Sequence, residues 1–435
     1  MTRKFIVNII FLITLNLLIK PFWFFGIEVS VQNRLGNEIY GLYASLLSIT
    51  IIFNFLLDFG ITNFNNREIA RYPFLISKYF SNLISIKIIF ACVYFVLCLI
   101  LGFFIGYKGT VIYILLLLVI NQILSSIILY LRSNISGLQR FATDSMISVL
   151  DKFITIVLLS LLLWTSIFHG RFNIALFVIS QTIGYLVTLT IALIIVIRAC
   201  GKFTFHFNKH YAFLMIKKAL PFTLLVFLMG MYNRMEPILL ERTLIGGDEQ
   251  AGIYAQGFRI FEALSNFVLL FPVILLPMFS SNLKKGENIQ PLISVSTSMI
   301  LIPVLITSVF CFFYSSEIMN LLYHSDKSGN VFKIIILGLP GITLTYIFGT
   351  LLTANGNFKQ LNTMAFGALI LNLSINLILI PRLKAQGSAF ASFLTQFLTG
   401  CFQLLLAIKI LKLNDIYKLI LKILLWVVLL FAFTF

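Results

Sequence analysis

Two cations, Lys20 and Arg234, lie deep inside long apolar stretches of the sequence, and each is closely followed by a proline, Pro21 or Pro237. A charged side chain inside a lipid bilayer is costly, so such a residue is a functional candidate by default. Arginine can bind a phosphate through two parallel hydrogen bonds, whereas lysine binds it as a point charge. We therefore expect Lys20 and Arg234 to line a cavity that attracts an anionic headgroup.

Other ionisable residues in or beside the apolar stretches are candidates for the same cavity or for ion pairs. Arg259 and Glu262 are three residues apart, so they share one helix face and can pair with each other, either as part of a site or as a structural ion pair between helices. Lys87 is expected to snorkel to the cytoplasmic surface. The predicted cavity residues are Lys20, Arg234, Arg259, Lys152 and Arg34, the predicted coupling or ion-pair residues are Glu236, Glu262 and Asp58, and the predicted cytoplasmic gate is Arg67 with Glu68.

The sequence holds no pattern typical of a metal site, a cofactor site or an enzyme. The five cysteines lack the paired spacing of disulfides or zinc ligands, and His206 and His210 have no carboxylate or cysteine beside them. There is no Walker loop, dinucleotide fingerprint or nucleophile motif. We expect no metal, no cofactor and no catalytic residue.

The composition places these candidates in a membrane protein. Of the 435 residues, 60% are apolar and only 11% are Asp, Glu, Lys or Arg, whereas a soluble domain carries about a quarter charged residues. The net charge is +17, yet so little polar surface leaves no room for a nucleic-acid interface. The charge must therefore be explained inside or beside a bilayer.

Thirteen stretches are long and apolar enough, or nearly so, to cross the bilayer as helices, which takes about 20 residues. The first is too long for a signal peptide and lacks a cleavage site, so we expect it to remain as a span. The predicted spans are residues 5–27, 39–60, 80–105, 109–131, 146–168, 172–197, 218–240, 251–279, 292–314, 332–354, 360–381, 387–411 and 416–434.

Lysine and arginine are unequally divided between the two sides of the membrane. With the N-terminus in the cytoplasm, nineteen fall on cytoplasmic connections and eight on outer ones. Short cytoplasmic loops normally carry this excess. The predicted N-terminus is therefore cytoplasmic, and sidedness accounts for much of the net charge without any ligand.

The connection from Arg198 to Lys218 divides twelve spans into two sets of six. Because six is even, both halves enter the membrane in the same direction, as in parallel repeats. Residues 35–44 and 245–255 support this, since each holds a glycine turn, an acidic residue and Gly-x-Tyr-Ala. We predict an all-α integral membrane protein of two six-helix bundles in parallel repeat with an extra C-terminal helix. Its parts are residues 1–200, 201–217, 218–412 and 413–435, that is, an N-terminal lobe, a cytoplasmic connection, a C-terminal lobe and an additional hydrophobic segment.

Short motifs in these spans resemble the bacterial polysaccharide flippases of Wzx type, in the superfamily that also contains the multidrug and toxic-compound extrusion (MATE) transporters. The resemblance extends through the first twelve spans. The motifs are Arg34-Leu35-Gly36 to Tyr43, Asp58-Phe59-Gly60, Arg67-Glu68-Ile69-Ala70, Gly252-Ile253-Tyr254-Ala255, Asn376 to Pro381, and Gly387-Ser388-Ala389.

The resemblance implies two bundles around a cationic cavity that opens alternately to each side of the bacterial plasma (inner) membrane. It also implies export of undecaprenyl-diphosphate-linked oligosaccharide units to the outer leaflet for O-antigen, lipopolysaccharide or capsule synthesis, driven by an H⁺ or Na⁺ gradient. The expected partners are the lipid-linked oligosaccharide, membrane lipids, a polysaccharide polymerase and a chain-length regulator, and no nucleic acid.

Two other functions would require different features of the sequence. A cation-coupled exporter of drugs or small metabolites would favour an anionic cavity. A membrane-embedded glycosyltransferase would need a large outer loop with catalytic carboxylates, but the longest outer connection, residues 315–331, holds only Glu317 and Asp326.

Overall fold

The computed structural model describes residues 18–165, 172–200 and 209–413, together with Ile416, Lys418, Leu419 and Lys422. Every regular element within these residues is a helix. The predicted all-α fold is therefore confirmed.

Seventeen α-helices follow one another along the described residues, numbered in chain order. The first half contains α1 (Val29–Ile52), α2 (Ile61–Arg71), α3 (Ile76–Ile105), α4 (Thr110–Gly137), α5 (Phe141–Trp164), α6 (Ile174–Cys200) and α7 (Lys209–Arg234). The second half contains α8 (Glu236–Thr243), α9 (Gly247–Val268), α10 (Leu270–Lys285), α11 (Gln290–Phe313), α12 (Ser315–Tyr323), α13 (Gly329–Ile336), α14 (Leu339–Leu344), α15 (Thr350–Ala354), α16 (Phe358–Leu383) and α17 (Ala385–Leu411).

Ten helical stretches of the described residues are long and apolar enough to cross a membrane. Nine of them coincide with nine of the thirteen predicted spans, and the tenth, Leu18–Ile52, covers parts of both residues 5–27 and residues 39–60. Residues 5–17 and most of 416–434 lie outside the described residues. Residues 218–240 are divided between α7 and α8. The ten stretches are Leu18–Ile52, Ile76–Ile105, Thr110–Gly137, Phe141–Trp164, Ile174–Cys200, Gly247–Lys285, Gln290–Phe313, Asp326–Ala354, Phe358–Leu383 and Ala385–Leu411.

The chain forms two compact units. The N-terminal unit consists of the described residues up to Gly36 and those of Ser45–Thr223, and the C-terminal unit consists of Asn37–Ala44 and the described residues from Leu224 onward. The boundary at residue 223 falls inside α7. The domain limits predicted from the sequence stay a prediction, because residues 201–208 and most of 414–435 lie outside the described residues.

Both predicted glycine turns are sharp breaks in the backbone. Gly36 has a φ of 79° and Gly246 a φ of 71°, conformations that glycine adopts without strain. Within the C-terminal unit, the Gly-x-Tyr-Ala segments that follow these turns are in backbone contact. A Cβ atom at Gly41 would overlap the Asp248 carbonyl oxygen, and one at Gly252 would overlap the Asn37 carbonyl oxygen. Only glycine permits so close a crossing of α1 and α9.

Each unit also contains a short π-helix, a form that often occurs at functional sites. The first, Phe22–Glu28, directly follows Pro21, which has no N–H to donate to the helical ladder. The second, Thr345–Gly349, joins α14 to α15. The helix continues past Pro21 as the π-helix. By contrast, the helix that contains Arg234 is interrupted at Met235, and α8 begins there with Pro237 in its first turn.

Candidate functional site

Lys20 is an accessible cation on the first membrane-spanning stretch of the N-terminal unit. It interacts electrostatically with Asp151 and Lys152 of α5 and with Arg132 of α4. Among the described residues, no hydrogen bond or ion pair engages its ammonium group. Lys20 can therefore accept an anion without first losing a partner.

Lys152 is held in a cage of two aromatic rings. Its ammonium lies 4.5 Å from the centroid of the Trp23 ring and 5.4 Å from that of Tyr185 on α6. It also donates to the Tyr185 hydroxyl at 3.4 Å and lies 3.8 Å from the Asp151 carboxylate. The buried carboxylate of Glu28 adds a further electrostatic interaction. Lys152, predicted as a cavity residue, thus has several intramolecular partners.

Two arginines of the N-terminal unit are also engaged. Arg132 pairs with Asp144 through two hydrogen bonds of 2.7 and 3.4 Å. Arg34, predicted for the cavity, donates to the Leu163 carbonyl at the C-terminal end of α5 at 2.8 Å and lies over the Phe172 ring. A cation at this helix end is stabilised by the unpaired carbonyls there.

Lys87 does not snorkel to the surface, and that expectation was wrong. Its side chain is 1% exposed, and its ammonium lies 2.8 Å from Asp58 Oδ1. It also donates to the hydroxyl of Ser126 at 2.7 Å and to the carbonyl of the same residue at 3.2 Å. Asp58 lies in the irregular segment between α1 and α2, where it also accepts hydrogen bonds from Thr62. Helices α3 and α4 enclose this segment, so the ammonium finds its partners inside the unit.

The predicted gate residues lie on α2. Arg67 is exposed and donates to the adjacent Glu68 at 3.2 Å, and its guanidinium also lies 5.6 Å from the centre of the Phe64 ring. The structure brings these two residues together, and their role as a gate stays a prediction.

In the C-terminal unit, one carboxylate binds two arginines. Glu262 on α9 accepts from Arg234, the last residue of α7, and from Arg259 Nη1 at 2.8 Å. Arg259 Nε also donates to the Tyr40 hydroxyl at 3.3 Å, and Arg234 lies 5.2 Å from the centre of the Phe258 ring. Two guanidinium groups share one carboxylate, so this trio carries one net positive charge.

Glu236 is the first residue of α8, directly after the interruption of the helix at Met235, and it lies in a separate hydrogen-bond network. It is fully buried, and its Oε1 accepts from Asn372 Nδ2 at 3.0 Å. Asn372 also donates to Thr395 at 3.2 Å, and Asn376 donates to the Asn372 side chain at 3.0 Å. Oε2 of Glu236 is buried and has no hydrogen-bond partner among the described residues. A cation or a proton would satisfy this oxygen.

The sequence-predicted residues fall into two groups in the two units. Lys20, Lys152, Arg34, Asp58, Arg67 and Glu68 lie in the N-terminal unit, and Arg234, Glu236, Arg259 and Glu262 lie in the C-terminal unit. No group of three or more His, Cys, Asp or Glu residues that could hold a metal ion occurs in the part of the chain that the structure describes.

Sequence reasoning missed Glu28, Trp23, Tyr185 and Tyr40 as neighbours of the charged groups. Glu28 was overlooked because the first span was predicted to end at residue 27, whereas the helix continues to Gly36. Its position eight residues after Lys20 could have revealed it. Tyr40 and Tyr185 carry no signal of their own among the 16 tyrosines of the chain.

The family model described as "Polysaccharide biosynthesis protein" matches residues 5–283, which is more than half of the chain. The chain belongs to this family. It is an all-α multi-pass membrane protein, as predicted from the sequence. No curated protein sequence matches the chain significantly.

Solved structures of transporters and of a flippase share the fold along most of this family member. A mutant of the Vibrio cholerae MATE transporter VcmN is 15% identical, with a TM-score of 0.62, covering 94% of this chain and 99% of its own. The lipid II flippase MurJ in an inward closed conformation is 16% identical, with a TM-score of 0.63 and coverages of 92% and 91%. A Pyrococcus furiosus transporter of the MOP superfamily, whose binding pocket is described as having reverse polarity, is 11% identical, with a TM-score of 0.62 and 94% coverage of both chains. At these identities the likeness shows the fold alone.

Proposed function

We propose that this protein is a flippase for undecaprenyl-diphosphate-linked oligosaccharide units. It moves them from the cytoplasmic to the outer leaflet of the bacterial plasma membrane, with its N-terminus in the cytoplasm, by alternating access coupled to an ion gradient. The units serve the synthesis of O-antigen or capsule. Membership of the polysaccharide biosynthesis family supports this substrate class, and the MATE and MurJ fold supports a transport mechanism.

The observation that carries the proposal is the positive charge that each unit presents within its membrane spans. In the N-terminal unit, Lys20 offers an ammonium group without an ion-pair partner among the described residues. In the C-terminal unit, Arg234 and Arg259 both pair with the single carboxylate of Glu262, so these three residues carry a formal net charge of +1. A diphosphate needs such charge, whereas its polyprenyl tail can stay in lipid. A drug exporter for cations would place negative charge at these positions.

Glu236 supports the proposed coupling to an ion gradient. A buried carboxylate with one unsatisfied oxygen is unstable as a bare anion, so it gains most from binding H⁺ or Na⁺. Asn372 donates to Oε1 of Glu236, which leaves Oε2 as the oxygen that takes the ion. In this proposal, loading and unloading of Glu236 biases the protein between its two conformations.

The experiment replaces Lys20 or Arg234 with alanine in the host strain that lacks its own copy of the gene. Surface polysaccharide should be lost, with the variant present in the membrane at the normal level. The matched control is Lys285→Ala, which removes an exposed lysine at the C-terminal end of α10 and should leave the polysaccharide unchanged. Normal polysaccharide in both Lys20→Ala and Arg234→Ala would contradict the proposed diphosphate contacts. Raised sensitivity to cationic drugs with normal polysaccharide would favour the exporter instead.

A further inference from the structure

The cage around Lys152 has the composition of a binding site for a small cation. Two aromatic faces, those of Trp23 and Tyr185, lie within 5.4 Å of the ammonium, and the Tyr185 hydroxyl lies at 3.4 Å. Aromatic faces attract cations strongly when water is partly excluded. The carboxylates of Asp151 and Glu28 supply negative charge on the same group. The Lys152 side chain is 28% exposed, so the site is not sealed.

The first π-helix brings two of these groups to one side of the helix. Its hydrogen bonds join residues five apart. Trp23 and Glu28 are five apart and both lie in the π-helical segment Phe22–Glu28, so they lie on neighbouring turns and both are buried. In a regular α-helix of 3.6 residues per turn, the same pair would diverge by more than a third of a turn. The irregular segment after Pro21 therefore aligns an aromatic face and a carboxylate toward α5.

The charges of the neighbouring groups show what Lys152 compensates. Arg132 is already paired with Asp144. Lys20 is accessible and interacts with Asp151. Glu28 is 6% exposed, and the cation that acts on it from α5 is Lys152. Removing the ammonium would take compensating positive charge away from a buried carboxylate, which is strongly unfavourable.

We infer that the space bounded by Trp23, Tyr185 and Asp151, with the buried carboxylate of Glu28 acting on it electrostatically, is a monovalent-cation site that the chain fills with its own Lys152 ammonium. This space therefore holds a covalently tethered cation and takes no exchangeable one. Ion coupling, which rests on the proposed function, is left to Glu236 in the C-terminal unit.

The test measures cation binding to the purified full-length protein in lipid nanodiscs, with isotopic Na⁺ as one probe and proton uptake on acidification as the other. Lys152→Ala removes the ammonium but keeps both aromatic walls and both carboxylates. It should bind about one more cation per chain than the wild type. Lys152→Arg keeps the charge and should bind the same number as the wild type. The double variant Lys152→Ala/Glu28→Gln should lose the additional cation.

An unchanged number of bound Na⁺ ions and protons in Lys152→Ala would overturn the inference, as would an additional cation that persists in the double variant. A separate variant covers the case in which Lys152→Ala fails to fold. Glu28→Gln alone should keep the wild-type cation count, because Lys152 and not a free ion supplies the positive charge beside Glu28. Loss of a bound cation from Glu28→Gln would overturn the inference. Glu236→Gln tests the proposed coupling site independently. Failure of the proposed ion coupling can therefore be distinguished from failure of the inference about Lys152.

Discussion

The ion pair between Lys87 and Asp58 should respond very unequally to the loss of each partner. Lys87 is 1% exposed, and its ammonium is bonded to Asp58 and twice to Ser126. Asp58 is 35% exposed and keeps its bonds to Thr62 when Lys87 is removed. The lysine therefore depends on the aspartate for charge compensation much more than the aspartate depends on the lysine.

The magnitudes follow from this asymmetry. Asp58→Asn leaves a buried ammonium without a counter-charge, which should reduce the free energy of unfolding by about 3–5 kcal/mol. Lys87→Met leaves a partly exposed carboxylate that still accepts hydrogen bonds from Thr62, so the loss should be about 1–3 kcal/mol. The double variant contains no buried charge at this position. It should therefore be more stable than Asp58→Asn alone, although it carries one more substitution.

The assay is equilibrium unfolding of the purified variants in mixed micelles, followed by tryptophan fluorescence, with the free energy of unfolding determined for all four proteins. The matched control is Lys78→Met, which removes an exposed lysine from the first turn of the same helix, α3. The reasoning is refuted if Asp58→Asn is no less stable than Lys87→Met. It is refuted equally if the double variant is less stable than Asp58→Asn.

Two further predictions concern the C-terminal unit. Gly252→Ala places a methyl group against the Asn37 carbonyl and should lower the free energy of unfolding by about 1–3 kcal/mol. The control is Gly367→Ala on α16, where a Cβ atom meets nothing within 4 Å, so this variant should be neutral or stabilising. Equal thermal stability of the two variants would contradict the close crossing of α1 and α9. Glu236→Gln should fold normally, because the glutamine amide oxygen can still accept from Asn372. Its transport in proteoliposomes should be independent of an imposed H⁺ or Na⁺ gradient. Transport that still depends on the gradient would exclude Glu236 as the coupling residue.

Long apolar runs predicted the spans well, because the cost of exposing backbone to lipid ties a helix to about 20 apolar residues. Nine predicted spans coincide with nine helical stretches, and the tenth stretch covers parts of the first two predicted spans. The turns at Gly36 and Gly246 could also be predicted from the sequence, because a positive φ is costly for residues other than glycine. The break at Met235 was signalled by Pro237. These features depend on local sequence alone.

The partners of the charged groups could not be predicted, because they come from distant parts of the chain. Arg234 lacks an acidic partner on its own helix, and its partner Glu262 comes from α9. Lys87 was expected at the surface from its depth alone, but Asp58 is placed beside it by a break in another helix. The ion pair between Arg259 and Glu262 was predictable, because the two residues are three apart on one helix.

The central claim is that this protein moves a lipid-linked oligosaccharide with a diphosphate headgroup across the membrane. The most direct measurement reconstitutes the purified protein into liposomes that contain such a lipid on the inner leaflet only. It then follows, over time, how much of the lipid becomes accessible to an added sugar-binding lectin. Exposure of the oligosaccharide should depend on the protein, should be lost in Arg234→Ala and should be kept in Lys285→Ala. Exposure at the rate of protein-free liposomes, from wild-type protein that is folded and supplied with an ion gradient, would contradict the central claim.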